Sequence, residues 1–286
     1  MRRGLGVNAD LLKGFKFSPG DRVTSITLND LAKQRATFVG RANSASNSTA
    51  DSELPGRVDN SMSHFFPPIG DQGHQGSCTA WAAGYYFTTY QQASKRNVPV
   101  KVSGVPQANR ICSPAFLYNQ TNFNMDAGTL TEMALQMTTN FGCAPLSAMP
   151  YDPNDYLTWP DKQARLEAFS FKNKNFKFIG FHPKSNNTED LNSLYSFNNI
   201  NQEDVDLIKK HLANGNIGVA SFEVYESFQH YFSNKINSNE SSNGVYFKNS
   251  GWVLGGHAVA LVGYDDEKIF YVPNSNGTGQ TEKRGA

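Results

Sequence analysis

Between Ser77 and Tyr90 the chain reads SCTAWAAGYYFTTY, a run with no charged side chain on any face. A surface helix keeps a polar stripe, so a helix that is apolar or aromatic nearly all round must be covered on every side. The run therefore predicts a buried central helix, around which the rest of the chain supplies the packing layers. A chain of 286 residues that is 38% apolar has material for one large domain or two modest subdomains.

The flanking sequence changes texture twice. Residues 1–40 carry scattered signals: GFKFSPGD (14–21) reads as an extended piece ending in a turn, and a helical spacing follows from Thr27. Residues 41–53 (RANSASNSTADSE) are small and polar without periodicity, which is linker composition. The expected division is an N-terminal extension and linker over 1–53 and one domain over 54–286. Within the domain, residues 129–141 form a second helix stopped by Gly142, and residues 204–213 form a short amphipathic helix closed by Asn214-Gly215. Residues 160–200 are Asn-, Lys- and Phe-rich, and SNNTEDLNSLYSFNN (185–199) within them reads as an insertion or exposed excursion. Residues 217–224, 256–264 and 269–273 are short β-prone runs. Helices first and strands later predict an α+β fold of two halves with a cleft between them.

The bulk numbers exclude several classes. Net charge is +1 and charged residues make up 18%, so nothing points to nucleic acid. No apolar run reaches the ~18–20 residues a membrane-spanning helix needs. The start, MRRGLGVNADLLKGFKF, lacks an apolar core and does not read as a signal peptide, which leaves cytoplasmic and exported locations both open. The three cysteines (Cys78, Cys112, Cys143) are too few for a disulfide scaffold. Cys112 and Cys143 are either bridged or buried free thiols. No histidine lies in a metal-ligand spacing, and no metal or cofactor is expected.

The residues that carry chemistry fall at three places. In DQGHQGSCTAW, Cys78 sits where the helix begins, and a helix N-terminus favours the reactive thiolate over the thiol. Gln72 offers an amide N–H to a developing oxyanion, and the Cys78 backbone N–H offers a second. In GGHAV, His257 heads a β-prone run behind two glycines, and a thiol nucleophile needs such a base within hydrogen-bond reach. Asn274, after the next strand, has a side-chain oxygen able to hold an imidazole by its other N–H, although Asn-Ser-Asn-Gly is also a plain turn sequence.

Cys, His and Asn in that order, with the upstream Gln, resemble the papain-like cysteine peptidases, in particular their bacterial and archaeal branch. The same resemblance runs through Leu54-Pro55, Val58-Asp59, Ser113-Pro-Ala-Phe-Leu-Tyr118, Asp126-Ala-Gly-Thr-Leu130, Gly142 to Pro150-Tyr151 and GGHAVALVGYDD. It implies a helical subdomain and a β-barrel-like subdomain facing each other across the active-site cleft. It implies that Cys78 is the nucleophile, His257 the base, Asn274 its orienting partner and Gln72 the oxyanion donor, acting on peptide or protein substrates. It also implies that Gly128 pairs with an extended substrate. Leu130, Ala220 and Ala258 would line an apolar pocket for the second residue before the scissile bond.

The sequence departs from that family in several places. The Trp that usually follows Asn-Ser is Asn276, and a second expected Trp is Gln280. The C-terminal end is expected to be short by about a strand pair. Cys78 and His257 are 179 residues apart (257 − 78), more than the family's ~130–150. Two other readings follow from these departures: a catalytically weak peptide-binding module, and an exopeptidase or transpeptidase with one end of its groove blocked. Residues 1–53 suggest a short segment, around Phe15–Val23, that lies in the cleft and restrains activity.

Overall fold

The computed structural model describes residues 54–177, 179, 202–226, 251–265 and 270–271. The expectations for residues 1–53 and for Asn274 lie outside these described residues. The central helix, α1, opens at Cys78 and continues through α-helical Cys78–Ala80, π-helical Trp81–Thr88 and α-helical Thr89–Arg96. It outruns the sequence expectation at its C-terminal end, because the apolar run stops at Tyr90 while the backbone pattern does not. Asn97 ends it in the left-handed region (φ 53°), with Lys95 and Arg96 facing the negative end of the dipole.

The uncharged run is buried on all sides, and its successive residues face different neighbours. Ala80 joins a cluster with Phe116, Leu117 and Tyr118. Trp81, Tyr85, Tyr86 and Tyr90 pack with Phe66, Ile217, Ala260 and Val262. Ala82 packs with Cys78 and Ala258, and Ala83 with Ala134 and Leu135. Gly84 permits close approach, since a Cβ there would come within 2.7 Å of Leu117 Cδ1. In the π-helical turn the Thr88 hydroxyl donates to Ala83 O at 2.7 Å, taking up a carbonyl that wider winding displaces.

The helical half is completed by α2 (Pro114–Thr121), α3 (Thr131–Asn140) and α4 (Lys162–Ala168). Ser113 caps α2 by accepting from Phe116 N, with Pro114 at its first position, and Asp161 caps α4 by accepting from Ala164 N. The start of the 160–200 span belongs to the core, with Ala164, Ala168 and Phe171 buried in one cluster, while the excursion expected over 185–199 lies outside the described residues. Asn173 then ties this segment to α1 and α3, its amide donating to Thr88 Oγ1 at 2.8 Å and Thr138 Oγ1 at 3.1 Å. Cys112 and Cys143 are buried free thiols, and burial pushes the Cys143 thiol well up.

The β side is built from short pieces. The strand β1 (Val58–Asp59) pairs antiparallel with β6 (Gly263–Tyr264), which pairs with β7 (Phe270–Tyr271). An exposed hairpin joins β2 (Lys101–Val102) and β3 (Val105–Pro106). The helix α5 (Gln202–Ala213) leads into β4 (Gly218–Tyr225), which pairs antiparallel with β5 (Val253–Leu261). The α+β layout holds, but among the described residues the sheets do not close into a barrel. The strand β5 begins at Val253, earlier than the expected Gly256, so His257 sits within the strand and not at its head.

Gly142 marks the tightest junction between α3 and α4. Its φ is +85°, and a Cβ there would lie 1.9 Å from Ala168 O. Gly142→Ala is expected to cost about 3 kcal/mol from strain and overpacking. Urea unfolding checks this, and an unchanged midpoint contradicts the packing described.

Candidate active site

The backbone leading to Cys78 is held by phenols at alternate residues. Tyr85 OH donates to Pro68 O at 3.0 Å, Gly70 N–H donates to Tyr86 OH at 3.1 Å, and Tyr151 OH donates to Gln72 O at 2.8 Å. Gly70 has to be glycine, since a Cβ would fall 2.1 Å from the Trp81 ring. The Gln72 side chain is fully buried and its Nε2 donates to Gln75 O at 3.1 Å. Gly73 then turns with φ +62°, its N–H donating to Asp71 Oδ1. Tyr151 OH also lies 2.7 Å from Ser77 Oγ, so one phenol joins both ends of the Gln72–Ser77 turn.

Cys78 is the first residue of α1 and fully buried. Its N–H belongs to the first turn, whose donors have no intrahelical acceptor. Ala258 N–H donates to Cys78 Sγ at 3.3 Å. That bond places β5 against the head of α1, at the residue next to His257. Both the helix end and this N–H favour a negatively charged sulfur. His257 is fully buried and paired in register with Phe222 on β4. The Phe222 ring meets the imidazole edge-on, with centroids 5.8 Å apart at 88°. An aromatic cover for the histidine thus comes from β4, which the sequence reading missed; alternation along 217–224 was the only signal for it.

The wall beside Cys78 comes from the loop between α2 and α3. Gly128 is buried with φ +91°. Leu130 is the half-buried N-cap residue of α3. Ala258 is buried against Cys78, Ala82 and Val219, and Ala220 is half-buried in register with Val259. Ala258 therefore lies against Cys78, with His257 its neighbour in β5 and Gln72 in the turn that leads to the helix. Asn274 lies outside the described residues. Among those residues no group of three or more His, Cys, Asp and Glu is placed to hold a metal ion.

Sequence reasoning missed Tyr118 and Tyr151 as functional neighbours, although both fall in quoted motifs. Burial pushes the phenols of Tyr85, Tyr86 and Tyr118 well above the usual range and that of Tyr151 up to about 12. A phenol raised in the folded state contributes stability that is complete below its unfolded value, about 10, and lost as pH rises through the folded value. Stability is therefore expected to fall from about pH 10 upward, with little loss on that account at neutral pH. Tyr151→Phe is expected to lose about 1–2 kcal/mol at neutral pH from its two hydroxyl bonds and to flatten the fall between pH 10 and 12. Denaturant melts at stepped pH measure both; an unaltered profile rejects the role given to this phenol.

The architecture is similar to that of a solved cysteine protease. Xylellain, a cysteine protease from Xylella fastidiosa, superposes with a TM-score of 0.55 at 24% identity, covering 82% of this chain and 80% of that one. The proform of Amb a 11, a cysteine protease and ragweed pollen allergen, gives 0.48 at 21% identity, covering 85% and 65%. No curated protein matches the sequence significantly. The chain has the papain-like cysteine-peptidase fold. The Peptidase_C39 like family model matches residues 86–286, well over half of the chain, and the chain belongs to that family. The matched span starts inside α1, so it contains His257 and begins after Cys78.

Proposed function

We propose that this chain is an endopeptidase working through an acyl-enzyme on Cys78. The observation that carries the reading is the Ala258 N–H on Cys78 Sγ at 3.3 Å, which brings the histidine-bearing strand to the helix end that bears the thiol. The Cys78 thiolate attacks the peptide carbonyl carbon. The oxyanion is met by the Gln72 side-chain amide and the Cys78 N–H. The tetrahedral intermediate collapses, the C–N bond breaks, and His257 protonates the departing amine. Water, deprotonated by His257, then attacks the thioester, releasing the carboxylic acid and restoring the thiol.

Asn274 orients the imidazole in this scheme. The Gly128 backbone pairs with the extended substrate, and Leu130, Ala220 and Ala258 make a small apolar pocket that favours an apolar second residue before the bond. Residues 1–53 restrain the cleft until displaced or removed. The motifs matched in sequence and the clustering of Ala82, Ala258 and Val219 beside Cys78 support this assignment.

Incubation with an epoxysuccinyl peptide at about pH 5–7, followed by peptide mass spectrometry, tests it. Full-length chain, a chain lacking residues 1–50, Cys78→Ala and His257→Ala are compared. The expected outcome is one adduct on Cys78, absent in Cys78→Ala, slowed at least 100-fold in His257→Ala and faster after truncation. Equal rates with and without residues 1–50 remove the restraint and keep the peptidase. No adduct on either wild-type form favours a peptide-binding module instead.

A further inference from the structure

Three elements around the cleft are joined by one chain of hydrogen bonds that the reaction scheme does not use. Gly76 N–H donates to Asp126 Oδ1 at 2.8 Å, and Tyr118 OH donates to the same oxygen at 2.6 Å. Gly128 N–H in turn donates to Tyr118 OH at 3.3 Å. Gly76 stands two residues before Cys78, while Gly128 belongs to the loop facing it. The fit is close: a Cβ on Gly76 would lie 3.1 Å from both Gly128 N and Tyr118 OH. Tyr118 is fully buried and its ring is rooted in α2, so the hydroxyl is a fixed point. Asp126 sits at the exposed rim with one oxygen engaged by both donors.

The geometry points to Tyr118 and Asp126 as a positioning pair that sets the Gly128 substrate loop in register with the Cys78 nucleophile turn. The inference rests on the proposed pairing of Gly128 with substrate. A peptide laid on Gly128 reaches Cys78 with its scissile carbonyl correctly placed only if the two loops keep a fixed offset, and an error near 1 Å costs about 100-fold in rate. The single Asp126 oxygen accepting from both sides fixes that offset. Because the Gly128 N–H is committed to Tyr118, the substrate is left with the Gly128 carbonyl as its backbone partner there. The pair touches neither the thiol nor the leaving group, so its effect depends on how far the substrate extends along the wall.

The test uses the full-length chain with its N-terminal segment displaced or removed, and three reagents of increasing reach. These are iodoacetamide on Cys78, an ester with a single residue before the scissile bond, and an internally quenched peptide with four. Tyr118→Phe is expected to lower kcat/KM for the long peptide about 10-fold or more while changing iodoacetamide alkylation and short-ester turnover less than about twofold. Asp126→Ala is expected to match it, and Asp126→Asn, whose amide oxygen still accepts both bonds, to recover most of the loss. Thermal melting confirms folding, and Asp126→Ala, at the exposed rim, carries the test if Tyr118→Phe does not fold. Equal losses on all three reagents, or no loss on the long peptide, overturn the proposal. A wild-type chain that is alkylated yet turns over neither substrate instead removes the peptidase reading on which the proposal rests.

Discussion

Everything in this molecule hangs on a helix with no face for water. From Ala80 to Ala83 each successive side chain of α1 enters a different packed cluster, drawing α2 to one side, α3 to another, and Ile217, Ala260 and Val262 of the β side to a third. A helix of that kind has no stability as a surface element; it persists because both halves of the fold close on it. At the head of this helix stands Cys78. The thiol is thereby buried in structure yet placed where the first-turn N–H groups and the helix dipole favour its charged form.

Around that fixed point, hydroxyl groups do the positioning. Tyrosines of α1 and α2 and Tyr151 of a loop reach out to backbone atoms at Pro68, Gly70, Gln72 and Gly128, and to Ser77 and Asp126. A buried phenol is well suited to this, since its ring is anchored by apolar area while its oxygen both donates and accepts. The glycines answer the same demand from the other side. Gly70, Gly76 and Gly84 lie where a Cβ would collide with Trp81, crowd Tyr118 or meet Leu117. Rigid aromatic posts and bare backbone together let loops approach closely enough for a site to form.

Much of this was legible in the sequence, and the misses have physical causes. The buried helix followed from the absence of charge across fourteen residues, and the approach turn from Gly73 and Gly76 beside Cys78. The helix end was placed short because residues 91–96 turn polar while the backbone stays helical. The β5 start was placed late because Trp252 to Gly256 contains two glycines that read as a turn, whereas pairing with β4 holds them extended. Residues 162–171 carry no sequence signal of burial beyond Ala and Phe spaced among Lys, Arg and Glu, yet Ala164, Ala168 and Phe171 enter one buried cluster.

The sequence by itself determined the family, the cysteine at a helix start and the histidine on a later strand, because local composition and motif order carry those directly. What only tertiary structure decided was who stands beside whom: Ala258 N–H on the sulfur, Phe222 against His257, Tyr151 across the Gln72–Ser77 turn, and Tyr118 between Gly128 and Asp126. A tyrosine in a helix reads the same in sequence whether its hydroxyl meets solvent or a backbone carbonyl far along the chain. That difference is fixed by how helices and loops pack, which is a long-range property of the whole core and not of any local pattern.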